Sequence, residues 1–130
     1  MTRRLTLNTT WPQADAGTLP NHTTYTVVLC PEETVGAAIA VDHPDTVADA
    51  HSAFFADPTG DTDGTFYFTT PTPLTVVVHE VGHATIDTFI RNGLPIPDGD
   101  DDMADAEEAF VHFLGMLSEL LAEVAKGDHP

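Results

Sequence analysis

The chain has a single cysteine, Cys30, among 130 residues. An internal disulfide is therefore excluded, and so is any zinc site built from several thiolates. Basic residues are almost as scarce. Arg3, Arg4, Arg91 and Lys126 stand against 21 acidic residues, and the formal net charge is −17. Such a surface repels phosphate backbones, so no nucleic-acid partner is expected. No run of 18 apolar residues occurs, which predicts no membrane-spanning helix and no membrane partner. Arg3-Arg4 is followed by Leu5-Thr6-Leu7-Asn8 rather than by an apolar signal core, so no signal peptide is expected. Together with the lone thiol, this suits a reducing cytoplasm. The excess of Asp and Thr resembles the solvated acidic shell of halophile proteins, where salt screens self-repulsion. It suggests a halophilic host, or a virus acting in that host's cytoplasm. A surface studded with carboxylates could alternatively imitate phosphates, as a nucleic-acid mimic that inhibits a basic protein.

What is present is enough for one core. Hydrophobic residues make up 42% of the chain, and 130 residues suit a single domain too small for a two-lobed body. Within it, His79-Glu80-Val81-Gly82-His83 is the string that names a chemistry. On a helix, positions i and i+4 lie one turn apart on the same face, so both imidazoles can reach one ion. Two neutral imidazoles suit Zn²⁺, which in catalytic sites takes a third protein ligand and keeps a fourth position open. Glu80 then lies where it can take a proton from water.

The frame around the string is helical. The segment Pro73–Gly93 has a Pro-rich lead-in, ends on Asn92-Gly93 as a stop and carries Val78, Val81, Thr85, Ile86 and Phe89 beside the histidines, while the β-branched run Val76–Val78 also fits a strand entering the helix. Gly82 inside this helix costs about 1 kcal/mol relative to Ala, for which close approach of another backbone is one reason. Asp87 lies about 12 Å of helix rise beyond His79, too far to share its ion. It can orient His83 by a hydrogen bond or simply face solvent. Residues 84–89 hold no Gly-x-x-His continuation, which excludes the metzincin pattern.

A second helix is expected over residues 103–124, with Phe110, Phe113, Leu114, Leu117, Leu120, Leu121 and Val124 on one broad face. A flank of small residues, Ala104, Val111, Gly115 and Ala122, carries Glu108. A carboxylate in such a row suits a site where two helices approach closely, so Glu108 is a candidate third ligand. Glu107, nearer the large apolar face, competes with it. Either can instead be an N-terminal Glu facing the helix dipole. For a donor to the developing oxyanion, Tyr25, Tyr67, His51 and His112 are candidates. His112, one turn from Glu108, is the first of them.

The remaining elements are strands and loops. Residues 1–22 read as a short strand or an irregular arm, and 24–30 and 65–70 as strands. Residues 36–41 fit strand or helix. Asp45 can cap a helix over 46–55. Asp57, Asp61 and Asp63 resemble part of a calcium loop, but the terminal Glu is missing, so a solvent loop is expected. The acidic run 98–102 reads as a loop before the last helix.

The HExxH string, an intervening loop and Glu107-Glu108-Ala109-Phe110-Val111 on a second helix together resemble the gluzincin group of zinc metallopeptidases, which includes thermolysin-like enzymes and aminopeptidases with an NEGFA string. The stretch EEAFVHFLGML is also similar to small phage-encoded HExxH proteins. The resemblance covers about residues 65–121 and implies zinc held by His79, His83 and Glu108. It also implies Glu80 as general base and a peptide or protein as substrate. The expected fold is α+β: a small zincin-like domain over residues 1–130, with a metal-site core in 65–124. A short, mostly antiparallel sheet would carry the HExxH helix, with the Glu-bearing C-terminal helix crossing behind. Residues 65–70 are then the candidate exposed edge for strand addition of substrate. An open edge and the Leu face of the last helix would also permit a homodimer. The alternative to an enzyme is a metal-binding structural or interaction protein.

Overall fold

The computed structural model describes residues 2–11, 19–31, 34–43, 52–57, 59–97 and 104–125. Asp45 with its expected helix start, His51, and the acidic run at 98–102 lie outside these residues. The described chain runs β1 (Arg3–Thr10), β2 (His22–Cys30), α1 (Val35–Asp42), β3 (Ala53–Phe55), β4 (Gly64–Thr69), α2 (Leu74–Arg91), α3 (Ala104–Ala125). Four strands and three helices make an α+β fold, as the order of patterns predicts. None of these helices is long and apolar enough to cross a membrane.

The sheet is mixed, in the order β1-β2-β4-β3. β1 pairs antiparallel with β2, Leu5 opposite Val27 and Leu7 opposite Tyr25. β2 runs parallel to β4, Tyr25 opposite Gly64 and Cys30 opposite Thr69. β3 closes the other side antiparallel to β4, Ala53 opposite Tyr67 and Phe55 opposite Thr65. Two expectations change here. The N-terminal segment supplies a full eight-residue strand, because Leu5 and Leu7 alternate with exposed polar residues as a half-buried strand requires. The 65–70 segment is an interior strand, so it cannot be the exposed edge; the two ends of the sheet are β1 and β3.

β4 is interior because both of its faces are apolar. Phe66 and Phe68 join Tyr25, Val27 and Leu29 beneath α2 and α3, where Val77, Val81, Ala84, Phe89, Phe113, Leu117 and Leu121 complete the main core. Tyr67 points the other way with Val28 and Cys30, under Val35 and Ile39 of α1. A strand covered on both sides has no room at a sheet rim. Ala53–Phe55 was expected to end a helix and is instead paired with β4. Gly64 makes that pairing possible. Its φ is +151°, and a Cβ there would lie 2.6 Å from the Phe54 ring and 2.7 Å from the Phe55 carbonyl oxygen.

Helix α2 stops where Asn92-Gly93 predicts. Gly93 takes φ +68°, its N–H bonds the Ile90 carbonyl at 3.1 Å, and the Leu94 N–H bonds Phe89 at 2.9 Å, a Schellman ending. The helix is pinned to the sheet by the Tyr25 hydroxyl and the Thr88 hydroxyl, 2.6 Å apart and both buried. Helix α3 packs Phe113 against Trp11 (centroids 4.4 Å) and against Phe89 (5.4 Å). Its small-residue flank is open at Val111 and Gly115, while Ala122 packs against the main core. Val111 is 51% exposed and a Cβ at Gly115 would touch nothing. Ala106, Ala109 and Ala125 are the alanines that α3 buries among the described residues.

The loop before β4 is a solvent loop held by its own side chains. Asp57 Oδ1 accepts from the Thr59 hydroxyl (2.7 Å) and amide (2.8 Å), and Oδ2 from the Thr62 amide and hydroxyl, both at 3.0 Å. The Thr59 hydroxyl, then the two amides, hold the Asp57 carboxyl far below the usual carboxylate range. Asp63 Oδ2 accepts the Thr24 amide at 2.8 Å, and its Oδ1 lies 3.5 Å from Arg91. Asp57 and Asp63 are thus committed to protein donors.

Candidate metal centre

His79, Glu80 and His83 lie in the middle of α2, and one ligand atom from each falls within 4.8 Å of the others. The two imidazoles are solvent-exposed, as their place on the outer face of the helix requires. Their Nε2 atoms are 3.3 Å apart, with ring planes 79° to one another. That spacing can be tested against a metal. Two nitrogens on a tetrahedral Zn²⁺, each about 2.0–2.1 Å from it, are separated by about 1.63 times that length, or about 3.3–3.4 Å. The pair therefore matches one edge of a zinc tetrahedron as it stands.

Glu80 is placed differently from its neighbours. It is only 6% exposed and lies on the flank of α2 that faces the sheet rim. Ser52, the residue before β3, donates its hydroxyl to Glu80 Oε2 at 2.6 Å. Oε1 has no protein donor among the described residues. A buried carboxyl group without a hydrogen-bond partner is costly, and Ser52 supplies the bond. Nothing in the sequence singles out Ser52, because the two residues are 28 apart and meet only through the sheet.

The other candidates are not brought to this cluster. Glu107 and Glu108 are both exposed on α3, and neither belongs to the group formed by His79, Glu80 and His83. Glu108 shares the outward flank of Val111 and Gly115, which is the physical reason. His112 is also exposed on α3. Tyr25 is fully buried, its hydroxyl engaged by Thr88 and its ionisation pushed up by burial. Tyr67 donates to Asp42 at 2.6 Å on the far side of the sheet. Asp87 accepts from Arg91 Nε at 2.7 Å, an i,i+4 pair, and makes no bond to His83. An oxyanion donor is therefore supplied by neither tyrosine.

Gly82 has no backbone close to it: a Cβ there would meet nothing within 4 Å. Its place leaves free space on the exposed face between the two histidines. Gly82→Ala is expected to raise the stability of the metal-free protein by roughly 0.5–1 kcal/mol, the ordinary helix-interior difference. Thermal unfolding of the two proteins checks this, and a lower melting temperature in the variant would mean that the space is filled. Next to the imidazoles the same helix exposes Val78, Ile86 and Ile90, three aliphatic side chains in solvent.

Comparison of the chain with protein-family models, with curated proteins and with solved structures gave no match, so its chemistry is read from the site itself.

Proposed function

We propose that the protein is a zinc-dependent peptidase whose ion is held by His79 and His83 and whose general base is Glu80. The observation that carries this reading is the Nε2 pair at zinc-tetrahedron spacing with a buried, hydrogen-bonded carboxylate one residue away. A zinc ion held there would supply a Lewis acid for a carbonyl oxygen and would lower the pKa of bound water toward about 7. Glu80 does the proton work: Oε2 stays with Ser52, and the unengaged Oε1 takes the proton of the attacking water and can pass it to the leaving amine. The imidazoles would bind the ion as neutral ligands. Among the described residues no strand lies outside β3, whose main-chain groups could then take an extended peptide by strand addition, which supports a polypeptide substrate. Val78 and Ile86 give its side chains apolar surface beside the ion. A third ligand from Glu108, or from its competitor Glu107, would require α3 to bring to the ion a carboxylate that is exposed and outside the group in this structure.

A second reading follows from the grouping itself. Glu80 offers a ligand atom within 4.8 Å of both histidines, so it could complete a three-residue metal clamp. No base would then remain, and the protein would be a metal-stabilised binding module.

Native mass spectrometry with zinc added tests the site common to both readings. One zinc per chain is expected in the wild type and none in His83→Ala, since one remaining imidazole cannot hold the ion in place. Equal zinc in the two proteins would end the proposal. Loss in Glu108→Ala would make that residue the third ligand, and loss in Glu107→Ala would make it the preceding one.

A further inference from the structure

We propose that Ser52 is a positioning residue for Glu80, one that ties the orientation of the base to the open edge of the sheet; this rests on the hydrolytic reading above. Side chains alternate along β3. Phe54 packs toward the main core beneath the helices, whereas Ala53 and Phe55 pack on the α1 side. Ser52 continues the Phe54 phase, which turns its hydroxyl toward α2. The 2.6 Å bond to Oε2 therefore follows from the register of the edge strand against β4.

Two consequences follow from that geometry. A carboxylate bonded at one oxygen by a fixed hydroxyl cannot rotate freely about its last torsion, so Oε1 is presented in one direction. The hydroxyl is only as fixed as the strand that bears it. β3 is three residues long, and on its outer side no strand lies among the described residues. Short edge strands with one neighbour are the more weakly held parts of a sheet. An extended peptide that pairs with β3 would make it an interior strand, hold Ser52 and thereby hold Glu80. Binding along the edge and readiness of the base would then be one event. A substrate too short to pair would forgo this benefit.

The test compares the zinc-loaded wild type with Ser52→Ala and Ser52→Thr on two probes, an internally quenched long-peptide pool and a dipeptide anilide. For the long peptides, Ser52→Ala is expected to lose about tenfold to a hundredfold in kcat, the scale of a misplaced reacting group. KM and zinc content should stay as in the wild type, the chain should remain folded at the assay temperature despite a lower melting temperature, and Ser52→Thr should recover the rate by restoring the hydroxyl. On the dipeptide anilide the loss should be clearly smaller. An unchanged kcat in Ser52→Ala would overturn the proposal. So would a loss that merely follows a fall in zinc content or folded fraction, and so would the same loss on both probes. If the zinc-loaded wild type cleaves neither probe, the hydrolytic reading fails and Ser52's role with it. An active wild type with an unaffected Ser52→Ala overturns the role of Ser52 alone.

Discussion

Replacing Glu80 with Gln is expected to lower peptide hydrolysis by about a hundredfold to ten-thousandfold, the range a positioned general base contributes. The substitution is nearly isosteric. The amide oxygen can still accept from Ser52, so the bond that now holds Oε2 has a counterpart in the variant. Exchanging a buried charge for a neutral amide at a site only 6% exposed should not unfold the helix. One zinc per chain should remain, because His79 and His83 are untouched. The variant thereby separates the two readings of the cluster. Zinc retained with hydrolysis lost assigns Glu80 to proton transfer. Zinc lost in Glu80→Gln assigns it to the ion, and the site is then structural. The measurement is a rate and a native mass on the same preparation.

Truncation of Phe113 should have the largest effect on the fold. Its ring is fully buried, with Trp11 on one side and Phe89 of α2 on another. Phe113→Ala is expected to cost about 3–5 kcal/mol, from lost burial and the cavity left behind. A domain of this size holds roughly 5–15 kcal/mol in all, so the variant would sit near its unfolding threshold. Urea titration of the metal-free proteins gives the difference directly. A change below about 1 kcal/mol would mean that α3 does not pack on α2 through this ring. Zinc should return part of the loss, since an ion bound only by the folded chain adds about 2.7 kcal/mol at a hundred times its Kd. That recovery should be absent in the double variant with His83→Ala. Phe89 lies on the same helix as the two histidines and touches Phe113.

Much of this architecture is written in local pattern. The apolar phases of α2 and α3, the Asn92-Gly93 stop and the alternation in β2 and β4 all concern residues within two turns or a few strand positions of one another. Such spacing carries its own physics, because one helix face or one strand face has to be buried. The pairing of His79 with His83 is of the same kind, set by i,i+4 geometry alone. By contrast, β3 is three residues long, too short for any periodicity to show. Its identity as a strand depends on Gly64 and on β4 being there to receive it. The apolar residues near it fit a helical phase equally well.

The amino-acid order alone determined the metal-capable pair, the two long helices, the α+β class and the acidic, thiol-poor character of the chain. Only the tertiary structure decided that 65–70 lies inside the sheet and that β3 is one of its two edge strands. It also turned the Glu107 and Glu108 side chains to solvent, engaged both tyrosine hydroxyls away from the metal centre and brought Ser52 onto Glu80. The reason is range. A helix face or a turn is settled by neighbours within about four residues, whereas strand order and side-chain partners come from contacts between segments whose separation only the packed core can close.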